Sequence, residues 1–190
     1  ALEHKGLNPT MIAVDLLNSD TESLEHLHRN PLGYVPVLEV GGNRRLIESV
    51  AIIEWLEQIQ PSPTLYPGDA YDRAHIRSLI ELINAGIQPI QNLSVLDHYS
   101  SDEFERKRWN QYFIHRGLKA YEKLASPRAG KYSFGDNVTA ADLFLIPQVY
   151  NAVRNELPLT EYPLLKTIYE SALQLPAVAK THPDCFKPSH

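Results

Sequence analysis

Residues 35–56 read VPVLEVGGNRRLIESVAIIEWL, an order that predicts a strand, a tight turn, a returning strand and a helix. A peptide bond before proline can be cis at little cost, so the Val35–Pro36 bond is a candidate cis peptide. Pro36 has no N–H and cannot continue a β-ladder, which leaves the N–H and C=O of Val35 free to pair with an extended ligand. Residues 41–43, Gly-Gly-Asn, predict the hairpin turn, and residues 44–47 predict the returning strand.

Glu48 and Ser49 lie where the second strand gives way to a helix predicted over residues 49–58. The first N–H groups of a helix have no partner within it, and the helix dipole is positive at this end. A carboxylate is therefore a suitable ligand here. Together with Val35, these residues predict a small site for a short peptide that bears a free carboxylate.

Composition limits the classes of function. The chain has 190 residues, of which 43% are hydrophobic and 22% charged, as expected for a globular protein of one or two domains. A net charge of −5 without a basic run argues against nucleic-acid binding, and no apolar stretch reaches the roughly 20 residues of a membrane span. The single cysteine, Cys185, favours a reducing compartment such as the cytoplasm and a surface role. Histidine spacing predicts no metal site.

Prolines and helical periodicity divide the chain. Residues 1–6 read as the end of a helix capped by Gly6, so we expect a first strand and the start of that helix upstream of Ala1. Three prolines in residues 59–68 predict a linker between a mixed α/β domain, residues 1–58, and an all-helical domain, residues 69–190. The first domain should add a strand at 11–15 and a helix at 21–27. Helices in the second are predicted at 70–97, 101–125, 140–153, 163–173 and 177–181.

Two features stand out in the helical half. Thr139 and Asp142 form a predicted capping box with a structural role at the start of a helix. Pro89 should kink the long helix 70–97 and free polar groups beside Gln88, Gln91, Asn92 and Ser94. These polar residues permit two interpretations: a polar helix face beside a bend, or a rim of amides that binds a ligand.

The ordered set of proline, strand, glycine turn, strand, acidic residue and serine resembles the glutathione-binding domain of the glutathione S-transferase superfamily. Residues 86–96, GIQPIQNLSVL, closely resemble the zeta class, which includes maleylacetoacetate isomerases. Residues 51–57, 61–63 and 146–152 match the same class. The resemblance implies a thioredoxin-like N-terminal domain, an all-α C-terminal domain, a cytoplasmic homodimer and glutathione as the cofactor.

The resemblance also implies roles for particular residues. Val35, beside Pro36, would bind the cysteinyl backbone of glutathione, while Glu48 and Ser49 would hold its γ-glutamyl end. Gln88, Asn92 and Ser94 would add contacts from the helical domain, and Arg154 would bind a substrate carboxylate. Glu48 stands where the class usually has glutamine. The Ser/Cys motif that stabilises the thiolate in this class is expected upstream of Ala1, so the catalytic residues are not predicted here.

The implied reaction is the isomerisation of maleylacetoacetate, a dicarboxylate cis-olefin, to fumarylacetoacetate in tyrosine and phenylalanine breakdown. Glutathione would add its thiolate to the double bond, and rotation and elimination would give the trans isomer. Two alternatives remain open. One keeps glutathione but changes the electrophile, as in maleylpyruvate isomerisation, dehalogenation or conjugation. The other is a transferase-like scaffold that binds without catalysis.

Overall fold

The computed structural model describes residues 1–16 and 20–186. The chain divides into two compact units, Ala1–Pro63 (unit 1) and Thr64–His190 (unit 2). The division falls within the proline-rich segment at 59–68, whose bounds as a linker stay a prediction. None of the described helices is both long and apolar enough to cross a bilayer.

Unit 1 begins with a turn that ends in a Schellman motif. The N–H of Leu7 donates to the carbonyl of Leu2 at 2.9 Å, and the N–H of Gly6 donates to the carbonyl of Glu3 at 3.1 Å. Gly6 has φ +69°, the left-handed conformation that this motif requires and that glycine adopts without steric cost. The predicted cap conformation of Gly6 is confirmed, whereas the residues before it form a turn and not a helix.

Lys5 ties this first turn to the end of unit 1. Its side chain is fully buried, and Nζ donates to Glu57 Oε2 at 2.7 Å and to the carbonyls of Gln60 and Pro63 at 2.6 and 3.0 Å. A buried ammonium is tolerated only when its hydrogen-bonding capacity is met, and three acceptors match its three donors. The buried lysine therefore holds the N-terminal turn against the last residues of unit 1.

We expect Lys5→Met to lower the free energy of unfolding by about 1.5–3 kcal/mol, the range for hydrogen bonds to charged groups. The methionine keeps the length of the side chain but leaves two carbonyls without their donor. Urea unfolding compares this variant with Lys123→Met, which alters an exposed lysine. An equal effect of the two substitutions would contradict the role assigned to Lys5.

Two predictions in the next segment need correction. Residues 11–15 form no strand, and Met11 and Ile12 are 76% and 66% exposed. A strand exists only when a neighbour pairs with its backbone, and no described strand lies beside this segment. The helix predicted at 21–27 is instead a 3-10 turn at Asp20–Glu22 followed by helix α1, Leu24–Arg29, because Ser23 takes the N-cap position and its hydroxyl accepts from the N–H of His26.

The predicted hairpin and helix are confirmed. Strand β1, Val37–Glu39, pairs in antiparallel register with β2, Arg45–Ile47, so that Leu38 lies opposite Leu46. The turn between them places Gly41, Gly42 and Asn43 at φ +81°, +58° and +58°, which glycine and asparagine tolerate best. Helix α2, Ser49–Ile59, follows and buries Ile52, Ile53 and Leu56.

Unit 2 consists of helices packed around an apolar core. Helix α3 (Ala70–Asn84) contacts α5 (Glu103–Ala125) and α6 (Ala140–Arg154), and α6 contacts α7 (Pro163–Leu173). Ile76, Leu79, Ile80 and Ile83 form the fully buried stripe of α3 at the spacing of one helix face. The helices are α3, Ala70–Asn84; α4, Leu93–Tyr99; α5, Glu103–Ala125; α6, Ala140–Arg154; α7, Pro163–Leu173; and α8, Pro176–Thr181.

The single kinked helix predicted over 70–97 is wrong. Helix α3 ends at Asn84, a 3-10 turn covers Gln88–Gln91, and α4 begins at Leu93. The break starts before Pro89, at Gly86, whose N–H donates to the carbonyl of Glu81 at 3.2 Å, as at a helix end. Pro89 lies in the first turn of the 3-10 segment, where a missing N–H costs nothing.

Candidate functional site

The Val35–Pro36 peptide bond is cis, as predicted. Strand β1 begins only after Pro36, at Val37, so the ladder stops short of Val35. Val35 is 44% exposed. Its backbone N–H and C=O have no hydrogen-bond partner among residues 1–16 and 20–186. They are therefore open to pair with an extended ligand, which is the state that the sequence predicts.

Two buried side chains that the sequence did not single out hold the loop before this bond. Nε2 of His26 lies 3.1 Å from the carbonyl oxygen of Tyr34, and Nδ2 of Asn30 donates to the same oxygen at 2.9 Å. His26 and Asn30 are 4% and 2% exposed. Because the carbonyl of Tyr34 accepts these bonds, the position of Val35 is set by His26 on α1 and by Asn30 directly after it. The only sequence signal was Asn30 before Pro31, which is typical of a turn.

Glu48 and Ser49 are placed as predicted, at the junction of β2 and α2. Glu48 is the N-cap residue, and Ser49 is the first residue of the helix. Glu48 has φ +69° and ψ +118°, a conformation that non-glycine residues rarely adopt and that clusters at functional sites. Its exposed carboxylate has no partner within the described part of the chain. A ligand that carries both an ammonium and a carboxylate could place the ammonium against Glu48 and the carboxylate at the N-terminus of α2.

Unit 1 also contains an apolar cavity of about 280 Å³ beside Leu7, Trp55 and Ile59. None of the four predicted residues of this unit lines it. The open backbone of Val35 and the N-terminus of α2 are therefore surface features, separate from this cavity.

The polar residues around Pro89 have different surroundings. Gln88 begins the 3-10 turn and is half-buried. Asn92 is the N-cap of α4, and its Oδ1 accepts from the N–H and the hydroxyl of Ser94, both at 3.3 Å. Helix capping thus brings Asn92 and Ser94 together. The sequence had suggested only a polar helix face or a rim of ligand-binding amides at these residues.

A chain of amide side chains joins this turn to α6. Gln91 Nε2 donates to Gln148 Oε1, and Asn151 Nδ2 donates to Gln91 Oε1, both at 2.9 Å. Asn155 Nδ2 then donates to the carbonyl of Asn151 at 2.9 Å. Each amide is fixed by its neighbour, so the end of α6 and the 3-10 turn form one wall. Gln91 was noted beside Pro89, but its partners 57 and 60 residues away could not be found from spacing.

Arg154, the last residue of α6, lines a cavity of about 270 Å³ within unit 2. The other lining residues are four amides and two leucines: Gln91, Asn110, Asn151, Asn155, Leu93 and Leu96. Arg154 is the one charged residue in this lining. The volume is slightly below the roughly 300–1,000 Å³ of typical ligand sites, which suits a small metabolite.

The guanidinium of Arg154 has no ion pair or hydrogen bond among the described residues. Arg29, Arg106 and Arg128, in contrast, each pair with a carboxylate. A guanidinium binds carboxylates through a planar fork of donors. An unpaired arginine in a polar cavity is therefore a suitable ligand for a small organic anion. Within the described ranges, no three side chains converge as a metal site requires.

Comparison with known families matches both units to domains of the same protein family. Residues 1–59 match the family model described as "Glutathione S-transferase, N-terminal domain". Residues 89–180 match that described as "Glutathione S-transferase, C-terminal domain". The two matches contain the predicted site residues from Val35 to Arg154 except Gln88, which lies one residue before the second match.

Individual relatives carry narrower names. The chain is 43% identical over 159 residues to "Probable maleylacetoacetate isomerase 1" of Drosophila melanogaster, covering 84% of this chain and 63% of that protein. It superposes with a TM-score of 0.94 at 36% identity on the holo structure of a bacterial zeta-class maleyl pyruvate isomerase, covering 100% and 92% of the two chains. The crystal structure of maleylacetoacetate isomerase from Anaeromyxobacter dehalogenans with bound GSH superposes with a TM-score of 0.87 at 41% identity. The superposition covers 96% of this chain and 87% of that chain.

Proposed function

Because this chain belongs to the zeta class of the glutathione S-transferase family, we propose that the protein uses glutathione to isomerise maleylacetoacetate to fumarylacetoacetate. The names of the relatives support this substrate. The observation in this chain that carries the proposal is the unpaired Arg154 in a small amide-lined cavity. A dicarboxylate substrate needs such a cation, and a neutral electrophile does not.

The residues of unit 1 fit glutathione. The free N–H and C=O of Val35 can pair with the peptide backbone of an extended ligand, as an added strand does. The exposed carboxylate of Glu48 suits the ammonium of the γ-glutamyl group, and the N-terminus of α2 at Ser49 suits its carboxylate. We assign these three residues, with Pro36 beside them, to glutathione binding. Gln88, Asn92 and Ser94 are assigned as additional contacts.

Glutathione supplies, when bound, a thiolate that adds reversibly to the cis double bond and leaves after rotation about the resulting single bond. Arg154 holds a substrate carboxylate and so fixes one end of the chain while the other end rotates. Its positive charge also favours the negative charge that develops on the conjugated carbonyl oxygen during addition. The leucines of the cavity, Leu93 and Leu96, exclude water from the carbon chain of the substrate.

Maleylpyruvate is the second candidate substrate. It is also a dicarboxylate cis-olefin, and the superposition with a maleyl pyruvate isomerase covers the whole of this chain. The cavity of Arg154 contains one cation, so it binds one carboxylate of either dianion. Relative kcat/KM values for the two substrates decide between them.

The biological setting proposed with this reaction is tyrosine and phenylalanine breakdown in the cytoplasm, with the protein acting as a homodimer. The single cysteine, Cys185, is exposed and free, which is compatible with a reducing compartment. Sedimentation of the purified protein measures the oligomeric state.

Turnover tests the proposed function. We expect the full-length protein to convert maleylacetoacetate to fumarylacetoacetate only when glutathione is present, with S-methylglutathione inactive because it has no free thiol. Loss of absorbance of the cis substrate, coupled to hydrolysis of the trans product, measures the rate. A rate that does not depend on glutathione would contradict the proposal, and turnover of maleylpyruvate alone would transfer it to the second substrate.

A further inference from the structure

Asn110 is a polar side chain that the fold leaves without a partner. It lies on α5 and lines the same cavity as Arg154. Its Oδ1 is buried and accepts no hydrogen bond from any described residue. Buried amides are nearly always hydrogen-bonded, because an unsatisfied one costs folding free energy. Nδ2 of the same side chain also has no partner among the described residues, but unlike Oδ1 it is not buried, so this donor is open to a ligand.

The other amides of the cavity are already committed. Gln91 both donates and accepts, Asn151 donates to Gln91, and Asn155 donates to Asn151. Asn110 and Arg154 are the two polar side chains of the lining with no hydrogen bond among the described residues. Since Oδ1 of Asn110 is buried, Nδ2 is the atom that this side chain can offer to the cavity.

We infer that Asn110 and Arg154 together bind the keto acid end of the substrate. Arg154 takes the carboxylate, and Nδ2 of Asn110 donates to the ketone oxygen in the same carbon chain. Leu93 and Leu96 contact the carbon atoms between and beyond these two groups. This assignment rests on the proposed function for its substrate, and it gives the open Nδ2 donor of Asn110 an acceptor beside the single cation of the cavity.

The site so defined distinguishes a keto acid from a simple acid. Both have the carboxylate that Arg154 binds, but only the keto acid has an acceptor for Asn110. A site built around a hydrogen bond rejects an analogue that lacks the bonding group, because the ligand then covers the donor and leaves it unpaired. The Asn110 amide is therefore a specificity-determining contact, whereas Arg154 binds both acids.

Acetoacetate and butyrate test the inference without glutathione and without turnover. They have the same number of carbons and differ in the ketone. Titration of each into the full-length protein, followed by NMR shifts of the protein, gives two dissociation constants. We expect acetoacetate to bind roughly tenfold more tightly than butyrate, the worth of one well-placed hydrogen bond. In Asn110→Leu the two acids should bind equally, and in Arg154→Ala neither should bind.

Asn137→Leu, which alters an exposed asparagine in a loop, is the matched control and should keep the preference for acetoacetate. Asn110→Ala serves if the leucine variant does not fold, and it should also lose the preference. Equal binding of the two acids by the wild type, binding of neither, or a preference that survives in Asn110→Leu would overturn the inference. Glutathione-dependent turnover that continues beside any of these results would leave the proposed function intact.

Discussion

Replacing Arg154 by alanine should lower kcat/KM for maleylacetoacetate roughly 30- to 1,000-fold, which corresponds to a loss of about 2–4 kcal/mol of transition-state stabilisation. Arg154 has no carboxylate partner among the described residues and lines the polar cavity of unit 2. Its guanidinium is therefore free to bind the carboxylate of the substrate. The contact is made to the substrate before and during the reaction, and its loss should therefore raise KM more than it lowers kcat. Steady-state kinetics at saturating glutathione measure both constants.

Three comparisons make this result specific. Arg154→Lys keeps the charge but loses the bidentate fork, and it should retain part of the activity. Arg73→Ala removes another exposed arginine and should leave kcat/KM unchanged. Conjugation of glutathione to a neutral electrophile should be unaffected by Arg154→Ala, because that reaction has no carboxylate to bind. A fall in conjugation equal to the fall in isomerisation would show that Arg154 does not act through the dianion.

Replacing Asp142 by alanine should lower the free energy of unfolding by about 3–5 kcal/mol, a large part of the stability of an ordinary domain. The buried carboxylate of Asp142 accepts from the N–H and hydroxyl of Thr139 at 2.8 and 3.0 Å and from the N–H of Ser133 at 2.8 Å. Burial raises the pKa of Asp142, and the donors of Ser133 and Thr139 act in the opposite direction. Alanine would leave these donors buried and unpaired.

Asp102→Ala is the matched control, because Asp102 is also an aspartate at a helix start but is exposed. It should cost about 1 kcal/mol, the usual value of an N-cap. Thermal and urea unfolding of both variants give the comparison. A cost for Asp142→Ala no larger than that of Asp102→Ala would contradict the account of the buried capping box.

Features that depend on neighbouring residues were predictable from the sequence. Gly6 as a helix cap, the capping box of Thr139 and Asp142, and the hairpin turn at 41–43 each follow from the conformations that a few consecutive residues allow. The cis bond at Val35–Pro36 was a candidate from the sequence, whereas the second cis bond, Ser62–Pro63, was not predicted. The start of α2 at Ser49 was predictable because the residue types change there from strand to helix periodicity.

Features that depend on distant partners were not predictable in this way. Residues 11–15 have strand-like composition but no described strand beside them, so they form none. The sequence predicts a kink at Pro89, because proline is the strongest helix breaker, but helix α3 already ends at Asn84, before Gly86. The hydrogen bonds among the amides of the cavity could not be predicted for the same reason. Whether Asn110 is satisfied depends on what the fold brings to it.

The central claim is that the protein binds glutathione through the backbone of Val35 and the residues Glu48 and Ser49. Calorimetric titration of glutathione and of cysteinylglycine, which lacks the γ-glutamyl group, tests it directly. We predict that glutathione binds about a hundredfold more tightly than cysteinylglycine, because only glutathione offers charged groups to Glu48 and to the N-terminus of α2. Equal affinities for the two peptides, or no heat with glutathione, would contradict the claim.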